Sequence, residues 1–113
     1  MIVVIFELEV APESAARYFE LAAQLRQRLE AIDGFIHVER FQSVSDPTRY
    51  LSLSTWRDEE AVRAWRCDER HRHAQAEGRG GLFAGYRLRV ASVLRDYGLR
   101  ERDGVPLDAP VAR

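Results

Sequence analysis

Residues 2–10, Ile-Val-Val-Ile-Phe-Glu-Leu-Glu-Val, restrict what this chain can fold into more than any other stretch. The run is β-branched and reads at period two, so Ile2, Val4, Phe6, Leu8 and Val10 share one face of a strand. Val3 and Ile5 make the opposite face apolar too. A strand that is greasy on both sides belongs at the centre of a sheet and needs cover above and below.

The periodicities that follow fix the rest of the order. Pro12 suits a first helical turn, and Ala15, Tyr18, Phe19, Ala22, Leu25, Leu29 and Ile32 recur at spacings of three and four, which predicts an amphipathic helix over 12–31. Asp33-Gly34 stops it. Residues 35–44 alternate loosely as a second strand, Ser45-Asp46-Pro47-Thr48 is turn chemistry, and 50–56 form a third strand. Asp58 reads as an N-cap, with Glu59 and Glu60 favourable at the positive end of the helix dipole. Ala61, Val62 and Trp65 supply the apolar stripe of that second helix, which runs, or breaks and resumes, until Gln75 or Ala76. Residues 77–81 force a loop, and Tyr86, Leu88, Val90, Ser92 and Leu94 alternate with Arg87, Arg89, Ala91, Val93 and Arg95 in a long fourth strand to about residue 97. From residue 99 to 113 the chain reads as an arm or frayed tail.

The expected fold is therefore α+β, a ferredoxin-like β-α-β-β-α-β domain over 1–98 with a four-stranded antiparallel sheet and both helices on one face. At 113 residues a second core has no room, while 46% hydrophobic residues suffice to bury roughly two thirds of the unfolded surface. The bare face then carries Val3 and Ile5, and pairing with a second copy, at roughly 800 Å² per subunit, is the simplest cover.

Charge excludes several classes of partner. Seventeen basic and eighteen acidic side chains leave a net charge of -1, which offers no field for nucleic acid or an anionic membrane. Arg26, Arg28 and the arginines over 63–72 lack interleaved exposed aromatics, another argument against nucleic acid. No apolar run approaches the roughly 20 residues of a membrane span, and no basic-then-apolar leader precedes the first strand, so a cytoplasmic protein is expected. Cys67 is the sole cysteine and lacks an activating motif, which points to a buried or half-buried thiol. Gly78-Arg79-Gly80-Gly81 follows a helix and lacks phosphate-cradle spacing.

Three groups could carry chemistry. His37 and Glu39 share a face with Phe35 and Phe41, so His37 is a general base if that face lines a pocket and a surface residue if it faces water. Glu7 amid Phe6 and Leu8 is either a pocket acid or half of an ion pair with Arg40, Arg87 or Arg89. His71 and His73 stand two apart on a helix, roughly 200° around its axis, so they cannot share one metal ion. One of them can look inward, and no metal site is expected.

With the element order, the segment Ser54-Thr55-Trp56-Arg57-Asp58-Glu59-Glu60-Ala61-Val62-Arg63-Ala64-Trp65 and the stretch 86–98, the chain resembles the antibiotic biosynthesis monooxygenase family of small dimeric α+β barrels over residues 1 to about 98. The resemblance implies a homodimer with facing sheets and a pocket in each subunit between sheet and helices. It makes Trp65 a pocket-lining indole, although the same spacing suits a simple helix anchor. The family's haem-degrading branch wants a ligating His about ten residues beyond that Trp and an Asn in the first strand; Gln75 and Glu7 stand there, and glutamine cannot replace imidazole on iron. The polyketide-oxidising branch uses Trp, Asn, Tyr and Arg. Trp65 matches by position, Tyr18 or Tyr86 and Arg87 or Arg89 match by type, and the chain contains no asparagine.

The resulting expectation is a monooxygenase acting on a small aromatic or quinol-like molecule with no metal or organic cofactor. His37 or His71 would accept the proton, Arg87 would hold the developing anion, and Trp65, Tyr18 and Glu7 would contact substrate. The alternative is a non-catalytic, small-molecule-binding or stress-linked dimer.

Overall fold

A computed structural model describes residues 1–108, the side chains at 69, 70 and 79 apart. Among the described residues the strands and α-helices follow one another as β1 (Ile2–Glu9), α1 (Ala15–Glu30), β2 (Phe35–Gln42), β3 (Arg49–Trp56), α2 (Glu59–Arg66), α3 (Glu69–Glu77) and β4 (Gly85–Ser92), with short helical turns at Pro12–Ser14 and Gly78–Leu82. The strands form one antiparallel sheet in the order β2-β3-β1-β4. This is the ferredoxin-like α+β arrangement, and the strand with two apolar faces lies inside the sheet.

Strand alternation divides the sheet cleanly. Ile2, Val4, Phe6 and Leu8 point to the helices and stand level with Trp56, Ser54, Ser52 and Tyr50 of β3. Two core clusters form on this side, one of Leu29, Val38, Trp56, Ala61 and Val62, the other of Leu8, Val10 and Tyr18. The opposite face contributes to neither. It carries Val3, Ile5 and Glu7, with Leu51, Leu53, Phe41, Arg87 and Arg89 beside them in register.

Three points where the fold departs from the sequence expectations, or decides between two of them, have physical causes. A bulge at Ile36 sets both Phe35 against Trp56 and His37 against Thr55, so Phe35 enters the core while His37 turns to the opposite face. Phe35 meets the Trp56 ring edge-on at 5.4 Å. The fourth strand stops at Ser92, short of 97, because it pairs with β1, which begins at Ile2; a final bond from Val93 N to Met1 O at 3.0 Å exhausts the partner. The expected second helix is two helices, α2 and α3, each with its own cap. Asp58 accepts from the Ala61 amide at 2.9 Å, and Asp68, in extended conformation, accepts from the His71 amide at 3.1 Å.

Beyond Ser92 the chain turns on itself: Gly98 N donates to Glu101 O at 2.7 Å, and Arg102 lies over the Tyr97 ring at 5.5 Å. Residues 109–113 of the expected tail lie outside the described residues. Cys67 is exposed, which corrects the expected buried thiol, because it sits at the C-cap of α2 where the chain breaks.

Candidate functional site

Between the helix-facing side of the sheet and α1, α2 and α3 lies a cavity of about 190 Å³. It is small beside the roughly 300–1,000 Å³ of typical ligand pockets, so it suits a compact guest. Val4, Val38, Leu29 and Val62 make it mostly apolar, and Trp56, Trp65, Tyr18 and Phe83 add aromatic walls. On the β4 side the wall is Leu88 and Val90, which remain 46% and 45% exposed because β4 is an edge strand beyond the helical cover.

The break between α2 and α3 creates the most distinctive feature. Residues 65 and 71 on one continuous helix would sit roughly 240° apart around its axis and could not touch. Capping by Asp68 restarts the helix, and the imidazole of His71 folds back onto Trp65 with ring centres 4.3 Å apart and planes 19° from parallel. His71 Nδ1 lies 3.1 Å from the Trp65 carbonyl oxygen. A carbonyl only accepts, so Nδ1 carries the hydrogen and Nε2 keeps a free lone pair in the neutral ring. Burial lowers the His71 pKa from the usual 6.5, opposed by the bond to Trp65 and the charge of Asp68. His71 lines the cavity, whereas His73 is exposed.

Asp68 is itself held in place, since Arg28 of α1 donates to it from Nη2 at 2.8 Å. At the far end of α3, Arg17 donates to Glu77 at 2.7 and 2.9 Å. These two ties fasten α3 to α1 along the cavity.

The polar groups on the sheet floor are Ser52, Ser54 and Arg40. Trp56 Nε1 donates to Ser54 Oγ at 2.9 Å, so the buried indole is satisfied. Arg40 is different: its Nε is buried without a hydrogen-bond partner. Tyr18 stands beside it, its pKa raised by burial and pulled back by the charge and hydrogen bond of Arg40.

Of the residues singled out in the sequence, Trp65, Tyr18 and His71 line this cavity together. His37, Glu7 and Arg87 do not, and their expected roles are corrected by strand parity. His37 is 66% exposed on the opposite face, 3.7 Å from Glu39. Glu7 shares that face with Val3 and Ile5, and Arg89 Nη1 donates to its Oε2 at 3.1 Å, an exposed ion pair rather than a pocket acid. Arg87, directly across the ladder from Glu7, also points away from the cavity. The guanidinium on the sheet floor of the cavity belongs instead to Arg40, which was weighed only as a partner for Glu7 and whose alternation with Val38 was the available signal; Arg26 and Arg66 line the cavity from the helices. Gln75 lines the wall but offers no imidazole. Among the described residues no group of three or more His, Cys, Asp or Glu is placed to hold a metal ion, and no helix is long and apolar enough to cross a membrane.

Comparison with known proteins agrees with this geometry. The family model described as antibiotic biosynthesis monooxygenase matches residues 1–77. A relative named jasmonate monooxygenase ABM, from Pyricularia oryzae, is 44% identical over 93 residues, which span 82% of this chain and 43% of the relative. The chain thus spans less than half the length of that curated relative. Among solved structures, Rv0793 from Mycobacterium tuberculosis superposes with a TM-score of 0.76 at 16% identity, covering 86% of this chain and 98% of that one. SnoaB, a cofactor-independent oxygenase from Streptomyces nogalater, gives a TM-score of 0.73 at 13% identity, covering 84% and 94%. At such identities these two share the fold.

Proposed function

Because the chain belongs to the antibiotic biosynthesis monooxygenase family, we propose that it is a monooxygenase whose cavity admits a compact cyclic molecule, aromatic or quinol-like, and oxidises it with O2 without a metal or organic cofactor. The reaction class draws on the relative named a jasmonate monooxygenase. The observation that carries the mechanism is the imidazole of His71 stacked on Trp65, with Nδ1 3.1 Å from the Trp65 carbonyl oxygen, in an apolar cavity.

A carbon acid such as an anthrone or a quinol needs three things from the protein: removal of a proton, accommodation of the anion, and exclusion of water. His71 Nε2 takes the proton, and the aromatic walls of Trp65 and Phe83 keep the carbanion dry while it delivers electrons to O2. For an anthrone, the ring CH2 becomes C=O; two hydrogens leave with one oxygen atom as water and the other oxygen stays on the carbon. The substrate supplies all four electrons that reduce O2, so no external reductant enters the balance.

The working unit on this reading is a homodimer. Val3, Ile5, Leu51, Leu53 and Phe41 form an apolar centre on the helix-free face, framed by Glu7, Arg87 and Arg89, and a second copy would cover it with a complementary surface. Light scattering should return twice 13.0 kDa. Oxygen uptake by chelator-treated protein with anthrone and quinol tests the chemistry. Turnover with one atom of 18O incorporated is expected; binding without uptake supports the non-catalytic alternative, which the missing asparagine favours.

A further inference from the structure

The proton acceptor and its indole occupy one end of the cavity and leave Arg40 unexplained. Trp65 packs with the cluster around Trp56 and Val62. Arg40 stands level with Ser52 and Phe6, toward the cluster that contains Tyr18. The Phe6–Ser52–Arg40 row and the Ile2–Trp56 row are separated by the row of Val4, Ser54 and Val38. Each step of two residues along a strand is roughly 7 Å, so one oxygen atom cannot meet both ends.

At the Arg40 end donors exceed acceptors. A guanidinium is always charged, and no carboxylate pairs with Arg40 among the described residues. Its Nε is buried with no partner. Tyr18 lines the cavity with Arg40 and carries an O–H that can be donated. A charge and a donor left open in an apolar cavity are costly unless an anion completes them. On the sheet floor one guanidinium, Arg40, stands beside the Tyr18 phenol within aromatic walls, while Arg26 and Arg66 of the cavity lining come from the helices; this pair matches a single planar monoanion better than a phosphate.

We propose that Arg40 and Tyr18 form a carboxylate subsite, so that the substrate carries a carboxylate held apart from its reacting carbon by an apolar body. The inference rests on the reading that chemistry takes place at the His71 end. It gives the substrate a direction: the carboxylate meets the Arg40 guanidinium, the ring lies along Val4, Val38 and Phe83, and the acidic C–H faces His71.

Calorimetric titration of the full chain under nitrogen tests this with 4-phenylbutanoate and its neutral counterpart, 4-phenylbutanamide. The acid should bind at least about 10-fold more tightly than the amide, as a charge-assisted bond implies. Arg40→Gln should remove that preference by weakening the acid at least about 10-fold more than the amide, whereas His71→Gln should preserve it. Equal binding of acid and amide to the wild-type chain, failure of both to bind, or an Arg40→Gln effect that weakens both alike overturns the subsite. Should Arg40→Gln not fold, Arg40→Lys decides: a retained preference for the acid supports the subsite, and its loss overturns it. Turnover plays no part in the titration. An intact acid preference without oxygen uptake would sink the monooxygenase reading and leave the subsite standing.

Discussion

Replacing His71 by Gln separates two consequences of one buried imidazole. In the wild-type chain burial holds its pKa below the ordinary 6.5. Between the folded pKa and 6.5 the unfolded chain binds a proton that the folded chain refuses, so wild-type stability falls with pH in that window. The slope for one proton reaches about 1.4 kcal/mol per pH unit, and it vanishes above 6.5 and below the folded pKa. The charged groups around the ring work in both directions: Asp68 favours protonation, while Arg26, Arg40 and Arg66 line the same cavity. Urea unfolding at pH 7.5 and 5.5 should show the wild type losing more stability than His71→Gln over that interval, with the exposed His73→Gln tracking the wild type. Turnover should fall along the same acid limb and drop by roughly 10²–10⁴ in His71→Gln, the usual worth of a positioned base. Parallel pH dependence of stability in wild type and His71→Gln would refute the placement of a neutral imidazole in the cavity wall.

Two further substitutions probe the frame around the site. Ser54→Ala leaves the Trp56 indole N–H without its acceptor at 1% exposure, which should cost about 1–3 kcal/mol by urea unfolding; the same change in a Trp56→Phe background should cost distinctly less, and equal costs would show that the bond is not the cause. Gly34→Ala forces a side chain onto φ +94° and brings its Cβ within 2.7 Å of Ala61. The backbone alone should cost about 1–2 kcal/mol, lowering Tm by roughly 4–8 °C per kcal/mol in a chain of this size, and an unchanged Tm by differential scanning calorimetry would contradict the close approach of that loop to α2.

Strand and helix periods made most of the fold legible. The double-faced first strand placed itself inside the sheet, and Asp58 announced the start of α2. Site residues were harder, because each depended on phase. Glu7 lies at odd parity with Val3 and Ile5, so alternation alone assigns it to the helix-free face; its chain neighbours Phe6 and Leu8 misled the reading. His37 depended on a bulge at Ile36 that flips the phase ahead of it, which no single residue there advertises. The stack of His71 on Trp65 needed the break at Asp68, whose capping competes with helix continuation in a way that spacing cannot decide. Arg40 required the cavity itself, since an arginine between Glu39 and Phe41 looks like any surface cation until its Nε is found buried.

The paired ties that bind α3 to α1, Asp68 to Arg28 at one end and Glu77 to Arg17 at the other, latch that helix like a shutter on both jambs. A guest molecule therefore gains nothing by prising α3 outward, where two ionic fastenings must yield together. Its threshold is the opposite sill, the half-uncovered Leu88 and Val90 of the edge strand, and bulk added there should slow arrival and departure alike while leaving the hearth of the cavity untouched.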